Sequence, residues 1–491
     1  MATQGPPKPK NKKKSLPIKE DQTETDNVGN VIAQLKSVDG ETSGPSLSLP
    51  ANVTPEQLLL LINELLNNEE PLPYVFSVDD KEITTTIYKD IIQGLKKSTE
   101  DVLTIVYRPQ AIFRVRAVTR CSSTLSGHSE AILTVSFSPD GSQLATGSGD
   151  TTVRIWDLNT ETAHFTCSGH TSWVLYIAWS PDGKYLASGS MDNTVRLWDP
   201  LTGKSLGDAL KGHTKWITCL AWEPLHLNPK CNRLASSSKD GTVRVWDVIH
   251  RRLLFSISQH TATVTCIKWG GDGLLYSSSQ DKSIKVWDAS EGKLIRDLSG
   301  HGHWVNTMAL STDFVLRTGA IDHTGKIPQS EAEAKEWALA RYNSAIKNKP
   351  ERLVSGSDDF TLFLWEPSIS KKPIARLTGH QKLVNHVCFS PDGRLIASAS
   401  FDNSVKLWDG STGKFIASLR GHVGPVYQVC WSSDSRMLIS ASKDSTLKIW
   451  DLKTNKIKLN LPGHLDEVFS VDWSPGGDKV VSGGKDRQLK M

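Results

Sequence analysis

At 491 residues the chain is too long for one ordinary compact core, since single cores stop growing near about 250–300 residues, so several modules or a repeat architecture are required. A net charge of +4 with 22% charged residues describes a mildly basic polypeptide, and that balance alone does not imply nucleic acid. The longest apolar runs, such as Leu58 to Ile62, fall far short of the ~18 residues that cross a bilayer, and Met1 is soon followed by Pro and Lys, so neither a membrane span nor a secretory signal is expected.

In chain order, residues 1–29 read as a disordered basic tail, with Lys8-Pro-Lys-Asn-Lys-Lys-Lys14 resembling a nuclear localisation signal. Residues 30–110 form a separate module. Strands are expected at Val31–Leu35 and Leu47–Leu49 around a turn at Asp39-Gly40. Thr54-Pro55-Glu56 then opens a helix, because Thr suits the N-cap, Pro the first turn, and Leu recurs at helical spacing. Strands at Tyr74–Val78 and Val102–Val106, with a short turn near Ile87-Tyr88, complete a small α+β unit similar to the ubiquitin-like β-grasp.

From residue 111 to 491 the chain repeats itself. Gly-His dipeptides end at His128, His170, His213, His301, His380, His422 and His464, joined by Gln259-His260, at spacings of roughly 41–47 residues with one double gap. An apolar strand follows each, then in most units a turn like Ser-Pro-Asp-Gly, a strand like Leu-Ala-Ser-Gly-Ser, and a segment like Val-Arg-Leu-Trp-Asp. Each unit therefore reads as four short strands. An Asp stands six residues before the repeat Trp at Asp150, Asp192, Asp240, Asp281, Asp359, Asp402 and Asp444, and Asp486 holds that register in the eighth unit.

The long gap after His301 contains an Ala- and Glu-rich stretch of helical spacing, so residues 313–350 read as an insertion in blade five rather than a ninth blade. It is either a surface helix or a partner-binding arm. An open array leaves unpaired strand edges, so Phe113–Val118, with its tail up to Leu125, is expected to complete the last blade. The chain stops at Met491, one residue before the eighth repeat Trp is due, which reads as a truncation that puts blade eight in doubt. The seven scattered Cys are expected to be reduced core residues.

The His, Asp and Trp register resembles the WD-repeat family, and that resemblance implies that each turn Asp takes a hydrogen bond from its His, which a strand Ser or Thr and the Trp orient. Catalysis then has no evident seat, and no cofactor of its own is expected. A ubiquitin-like head followed by an eight-bladed propeller, with strings such as Tyr107-Arg-Pro-Gln-Ala-Ile-Phe113, His301-Gly-His-Trp-Val-Asn306 and Ala397-Ser-Ala-Ser-Phe-Asp-Asn403, is similar to the Notchless family of large-ribosomal-subunit assembly factors.

That resemblance implies a nuclear and nucleolar scaffold, monomeric within a large complex with the pre-60S particle and other assembly factors. It further implies that Glu100, in the loop Lys97–Asp101, donates its carboxylate to a Mg²⁺ held in the MIDAS domain of the AAA+ ATPase Midasin. The Gly-His face is the expected docking surface. It would carry Trp173, Trp216 and Trp304 three residues after their His, and Met191, Lys239, Phe401 and Lys443 just before the turn Asp. Packing of those Trp between blades is the competing reading. A WD-repeat adaptor in Notch signalling or ubiquitin-ligase recruitment is the rival function.

Overall fold

The computed structural model describes residues 30–37, 42–66, 72–79, 81–83, 85–93, 102–109, 115, 121–158, 160–322, 325–347 and 349–491. They fall into two compact units, divided between Ile112 and Phe113.

In the first unit, strands Asn30–Ser37, Leu47–Pro50, Tyr74–Val78, Lys81–Glu82 and Leu103–Pro109 form one five-stranded sheet. The first and last of these pair in parallel at its centre, which is the β-grasp order. Helix α1 (Pro55–Leu65) starts at a capping box in which the Thr54 N–H donates to Gln57 Oε1 over 3.1 Å. Its Leu58 and Ile62 are fully buried, with Val31, Leu35, Phe76 and Ile105, in one core. The short strand Lys81–Glu82 carries no alternation by which the sequence could announce it. The Asp39-Gly40 turn lies outside the described residues.

The second unit holds eight antiparallel sheets, one per repeat. Their innermost strands touch in a closed cycle, the eighth (Val468–Trp473) lying against the first (Ile132–Phe137), so the ring is an eight-bladed propeller. Blade eight is complete: its three own strands are joined by Thr124–Ser126, which pairs with Gln488–Lys490. Only the tail of the expected closing segment does this. Of Phe113–Val118, Val115 alone is described, and its N–H donates instead to Asp434 Oδ2 in blade seven, 2.9 Å away. Blade two has three regular strands, with isolated bridges at Leu210 and Ser205 in place of a fourth. All seven Cys are free thiols.

The insertion holds a largely exposed surface helix and, ahead of it, a short helix at the central channel. Helix α2 (Asp313–Thr318) sits across the central channel: Asp313 pairs with Lys268 of blade four at 3.0 Å, and Arg317 pairs with Asp472 of blade eight. Arg317 also donates to the Phe137 carbonyl of blade one at 3.4 Å, while Asp472 accepts the Phe137 N–H at 2.9 Å. One side chain from blade five thus ties the seam where the ring closes. Helix α3 (Glu331–Ile346) starts at Ser330, whose hydroxyl accepts the Glu333 N–H; it buries Ala338 against Leu225, Cys231 and Ala320, and stacks the buried Tyr342 on His226 at 4.5 Å. Its Arg341 donates to the Gly319 carbonyl and Thr318 Oγ1 at the end of α2.

Candidate interaction face

Each blade is pinned by one hydrogen-bonded relay. His128 Nδ1 lies 2.7 Å from Asp150 Oδ2 and His128 Nε2 lies 2.8 Å from Thr146 Oγ1, which accepts the Trp156 indole N–H at 2.9 Å. The other seven blades place His170 on Asp192, His213 on Asp240, His260 on Asp281, His301 on Asp359, His380 on Asp402, His422 on Asp444 and His464 on Asp486. Their separations run from 2.7 to 3.0 Å. In the last blade the relay stands without a Trp, through Ser482 at 2.8 Å.

Burial alone would push the carboxyls of Asp150, Asp192, Asp240, Asp281, Asp359, Asp402 and Asp444 up. Hydrogen bonds from the paired His and from a hydroxyl two residues on outweigh it, so all seven sit below the ordinary Asp range. Each His uses both ring nitrogens inside the relay, so none is left to serve as a general base. Among the described residues no group of three or more His, Cys, Asp and Glu could hold a metal ion. No described helix is long and apolar enough to cross a membrane.

The relays hold the Gly-His loops on one face of the ring. Trp173, Trp216 and Trp304 stand on that face with 51%, 41% and 43% of their surface exposed, the rest being covered by neighbours, such as Gly149 of blade one against Trp173. The residue before each turn Asp joins them through the backbone: the Met191 N–H donates to the Trp173 carbonyl, the Lys239 N–H to that of Trp216, and the Asp358 N–H to that of Trp304, each at 2.9 Å. Phe401 and Lys443 make the same bond to Leu383 and Pro425. The structure thereby puts both expected residue sets on one rim.

Within the rim the Lys239 ammonium lies 4.1 Å above the Trp216 ring, Phe401 meets Tyr427 edge-on at 5.8 Å, and Lys443 pairs with Glu467 at 3.5 Å. Met191 and Phe401 are half-buried, whereas Lys239 and Lys443 are exposed. Three apolar side chains on this face escaped sequence reasoning: Phe360 (44% exposed), Val423 (85%) and Leu465 (84%). The last two follow their His directly, where other blades have Ser, Thr, Gly or Gln, and that departure was the available signal. Glu100 lies outside the described residues, as do its neighbours Thr99 and Asp101.

The WD domain, G-beta repeat family matches residues 119–157, 162–199, 203–247, 251–288, 371–409, 413–451 and 455–491. The unit missing from that series is the one split by α2 and α3. The NLE (NUC135) domain matches residues 31–91. Among solved structures, the computationally designed protein Ika8 is similar, with a TM-score of 0.60 and 26% identity, over 76% of this chain and 99% of its own.

The Notchless protein homolog of Arabidopsis thaliana is 59% identical over 80% of this chain and 83% of its own length. Protein Notchless of Drosophila melanogaster is 52% identical over 78% and 79%, and Ribosome assembly protein 4 of Saccharomyces cerevisiae is 51% identical over 84% of each. With its β-grasp head, its eight-bladed ring and relatives this similar over most of their length, the chain belongs to the Notchless family of WD-repeat proteins.

Proposed function

We propose that this chain is a non-enzymatic assembly factor of the large (60S) ribosomal subunit, acting in the nucleolus and nucleus. The observation that carries the reading is the Gly-His rim, where Trp173, Trp216 and Trp304 stay exposed although burying one large aromatic side chain would stabilise the ring by about 2 kcal/mol or more. Exposed aromatics beside Lys239 and Lys443 suit a mixed protein and RNA surface. The name of the yeast relative, Ribosome assembly protein 4, supports a pre-ribosomal particle as what that surface meets.

In the same reading the β-grasp head binds Midasin. Glu100 supplies one carboxylate oxygen to a Mg²⁺ that the partner's MIDAS domain holds, and this chain carries no cofactor of its own. A single charge-assisted link at the head and a broad rim on the ring would let the ATPase pull on the particle through a stiff adaptor. The relays support this by making each blade a rigid unit.

One purification tests both halves. Tagged Trp304→Ala protein that folds normally should lose large-subunit precursors, and Glu100→Gln protein should keep them while losing Midasin. Unchanged recovery of precursors by Trp304→Ala, with an unaltered unfolding midpoint, overturns the docking face, and unchanged Midasin recovery by Glu100→Gln overturns the hook. Recovery of receptor or ligase subunits in place of precursors would favour a signalling adaptor.

A further inference from the structure

Between blades six and seven the Gly-His face opens into a notch of ≈ 330 Å³, lined by Gln381, Asp402, Asn403, Lys406 and Arg420 beside the backbone of Gly379 and Gly421. That volume falls in the range of small-ligand sites. Two of the lining residues are cations. Lys406 is only 7% exposed; its ammonium bonds the Ser418 hydroxyl at 3.3 Å and lies 5.3 Å from the centre of the Phe415 ring, and no carboxylate among the described residues pairs with it. Arg420 is exposed and makes no ion pair with any described residue.

The one carboxylate present is already spent. Asp402 accepts from His380 Nδ1 at 2.7 Å, from the Gln381 and Ser404 N–H groups at 3.1 and 3.0 Å, and from Ser404 Oγ at 2.7 Å. Four donors saturate it. A covered ammonium beside a second cation gains from an added anion; burial holds the Lys406 amine below its ordinary range, with Asp402 pulling it up and Arg420, the smaller influence, pushing it down.

The combination is unusual within the ring. At the register of Lys406, blade four pairs Lys285 with Asp297 at 2.6 Å, blade five has Phe363, and blade seven bonds Lys448 to Asn460 at 2.9 Å. At the register of Arg420 most blades carry Ser, Thr or Pro, and only blade two repeats the doubled charge, with Arg196 and Lys211.

We propose that this notch binds a backbone phosphate of RNA. A phosphate offers several acceptor oxygens to Arg420 and Lys406 together, and the amide side chain of Gln381 at the rim suits the adjoining ribose and phosphate oxygens. An acidic peptide would need an apolar seat for its flanking residues, and the lining named here is polar throughout. The inference rests on the docking face described above and names one chemical contact within it.

The test uses the full chain and a fluorescein-labelled single-stranded RNA of mixed sequence and twelve nucleotides, read by anisotropy across a salt series, with a labelled polyglutamate peptide as second probe. Arg420→Glu, an exposed change, should weaken RNA binding about tenfold, and Arg420→Ala should lower the slope of log Kd against log salt by about 1. Lys406→Gln should add to the loss, and Arg420→Lys should restore most of it. Equal RNA affinity of wild type and Arg420→Glu at the same unfolding midpoint overturns the notch. Loss of polyglutamate binding alone, with RNA unaffected, overturns it in favour of an acidic protein partner. Neither result touches the docking face itself, which stands or falls with precursor recovery by Trp304→Ala.

Discussion

The Gly-His face and the central channel are built on opposite plans. On the face, the same His, Asp and Ser or Thr recur eight times, and function is sought in the departures from that repetition: an exposed Trp here, a doubled charge there. In the channel, the inner-strand register of Ser136, Ala178, Ala221, Ala309, Cys388 and Cys430 is small or weakly polar, and only blades four and eight break it, with Lys268 and Asp472. Those two opposite charges are the anchors that α2 reaches. Repetition makes the ring; a single unrepeated helix helps to close it.

The sharpest way to break that comparison is at Arg317. Removing it takes from the buried Asp472 its ion-pair partner among the described residues, although the Phe137 and Trp473 N–H groups still donate to it at 2.9 and 3.0 Å. Loss of one partner of a buried pair costs about 3 kcal/mol, and because a third of the Arg317 side chain is exposed the cost here is about 1–2 kcal/mol. Arg317→Ala should therefore lower the denaturation midpoint clearly, and hydrogen exchange should speed up in Thr124–Ser126 and Gln488–Lys490, whose three residue pairs complete blade eight. If exchange rises only within α2, the helix is a passenger and not a lock.

A second effect sharpens the same contrast at Glu351, beneath α2. This carboxyl is 3% exposed; Oε1 accepts from Thr312 and, at 3.4 Å, from the Gly271 N–H, while Oε2 has no partner. Burial first, and then the nearby Asp272, push its pKa up to about 8 from 4.5. The folded state thus favours the protonated acid, so its contribution is complete below about pH 4.5 and is lost as pH rises through 8. Glu351→Gln should stabilise the protein by roughly 1–3 kcal/mol at pH 8.5 and make little difference at pH 5, read by chemical unfolding at the two pH values. The turn carboxyls carry the opposite sign: their pKa values are depressed, so their contribution is present above the unfolded value of 3.8 and falls away below it.

These two regions also mark what could be read from the residues. Eight relays announce themselves because each needs the same residue types at the same spacing, and the α1 cap and Leu spacing announce the head. Helix α2 did not. Asp313–Thr318 is six residues long, too short to show a helical period, and its stability comes from Lys268, Asp472 and Arg341 far away in sequence. The closing strand was placed too early because Phe113–Val118 has the stronger alternation, whereas Thr124–Ser126 pairs by position, beside Gln488–Lys490. The doubled charge of the notch was legible in principle, since Arg420 stands where most blades have Ser or Thr. It was missed because charges beside glycine are read as solvated loop.

The finest test lies in the residue after each turn Asp. Every blade holds it in the left-handed region: Thr151 has φ 69°, Asn193 66°, Lys282 72°, Phe360 67° and Asn403 66°. Asn tolerates this conformation, whereas a β-branched or bulky residue is strained there. Thr151 of blade one, unlike Phe360, adds no large apolar side chain to the rim, so Thr151→Asn should stabilise the ring by about 0.5–1 kcal/mol at no cost in precursor binding. Asn403 already bonds the Val423 carbonyl of the next blade at 2.8 Å, which shows what the new side chain can gain. Phe360 is the informative counterpart, because it bears the same strain in the blade that carries Trp304 and leaves 44% of its surface exposed. Phe360→Asn should give a similar stabilisation but weaken precursor recovery. Equal recovery by the two variants would mean that the strain at Phe360 serves no contact, and the rim would then be narrowed to its tryptophans.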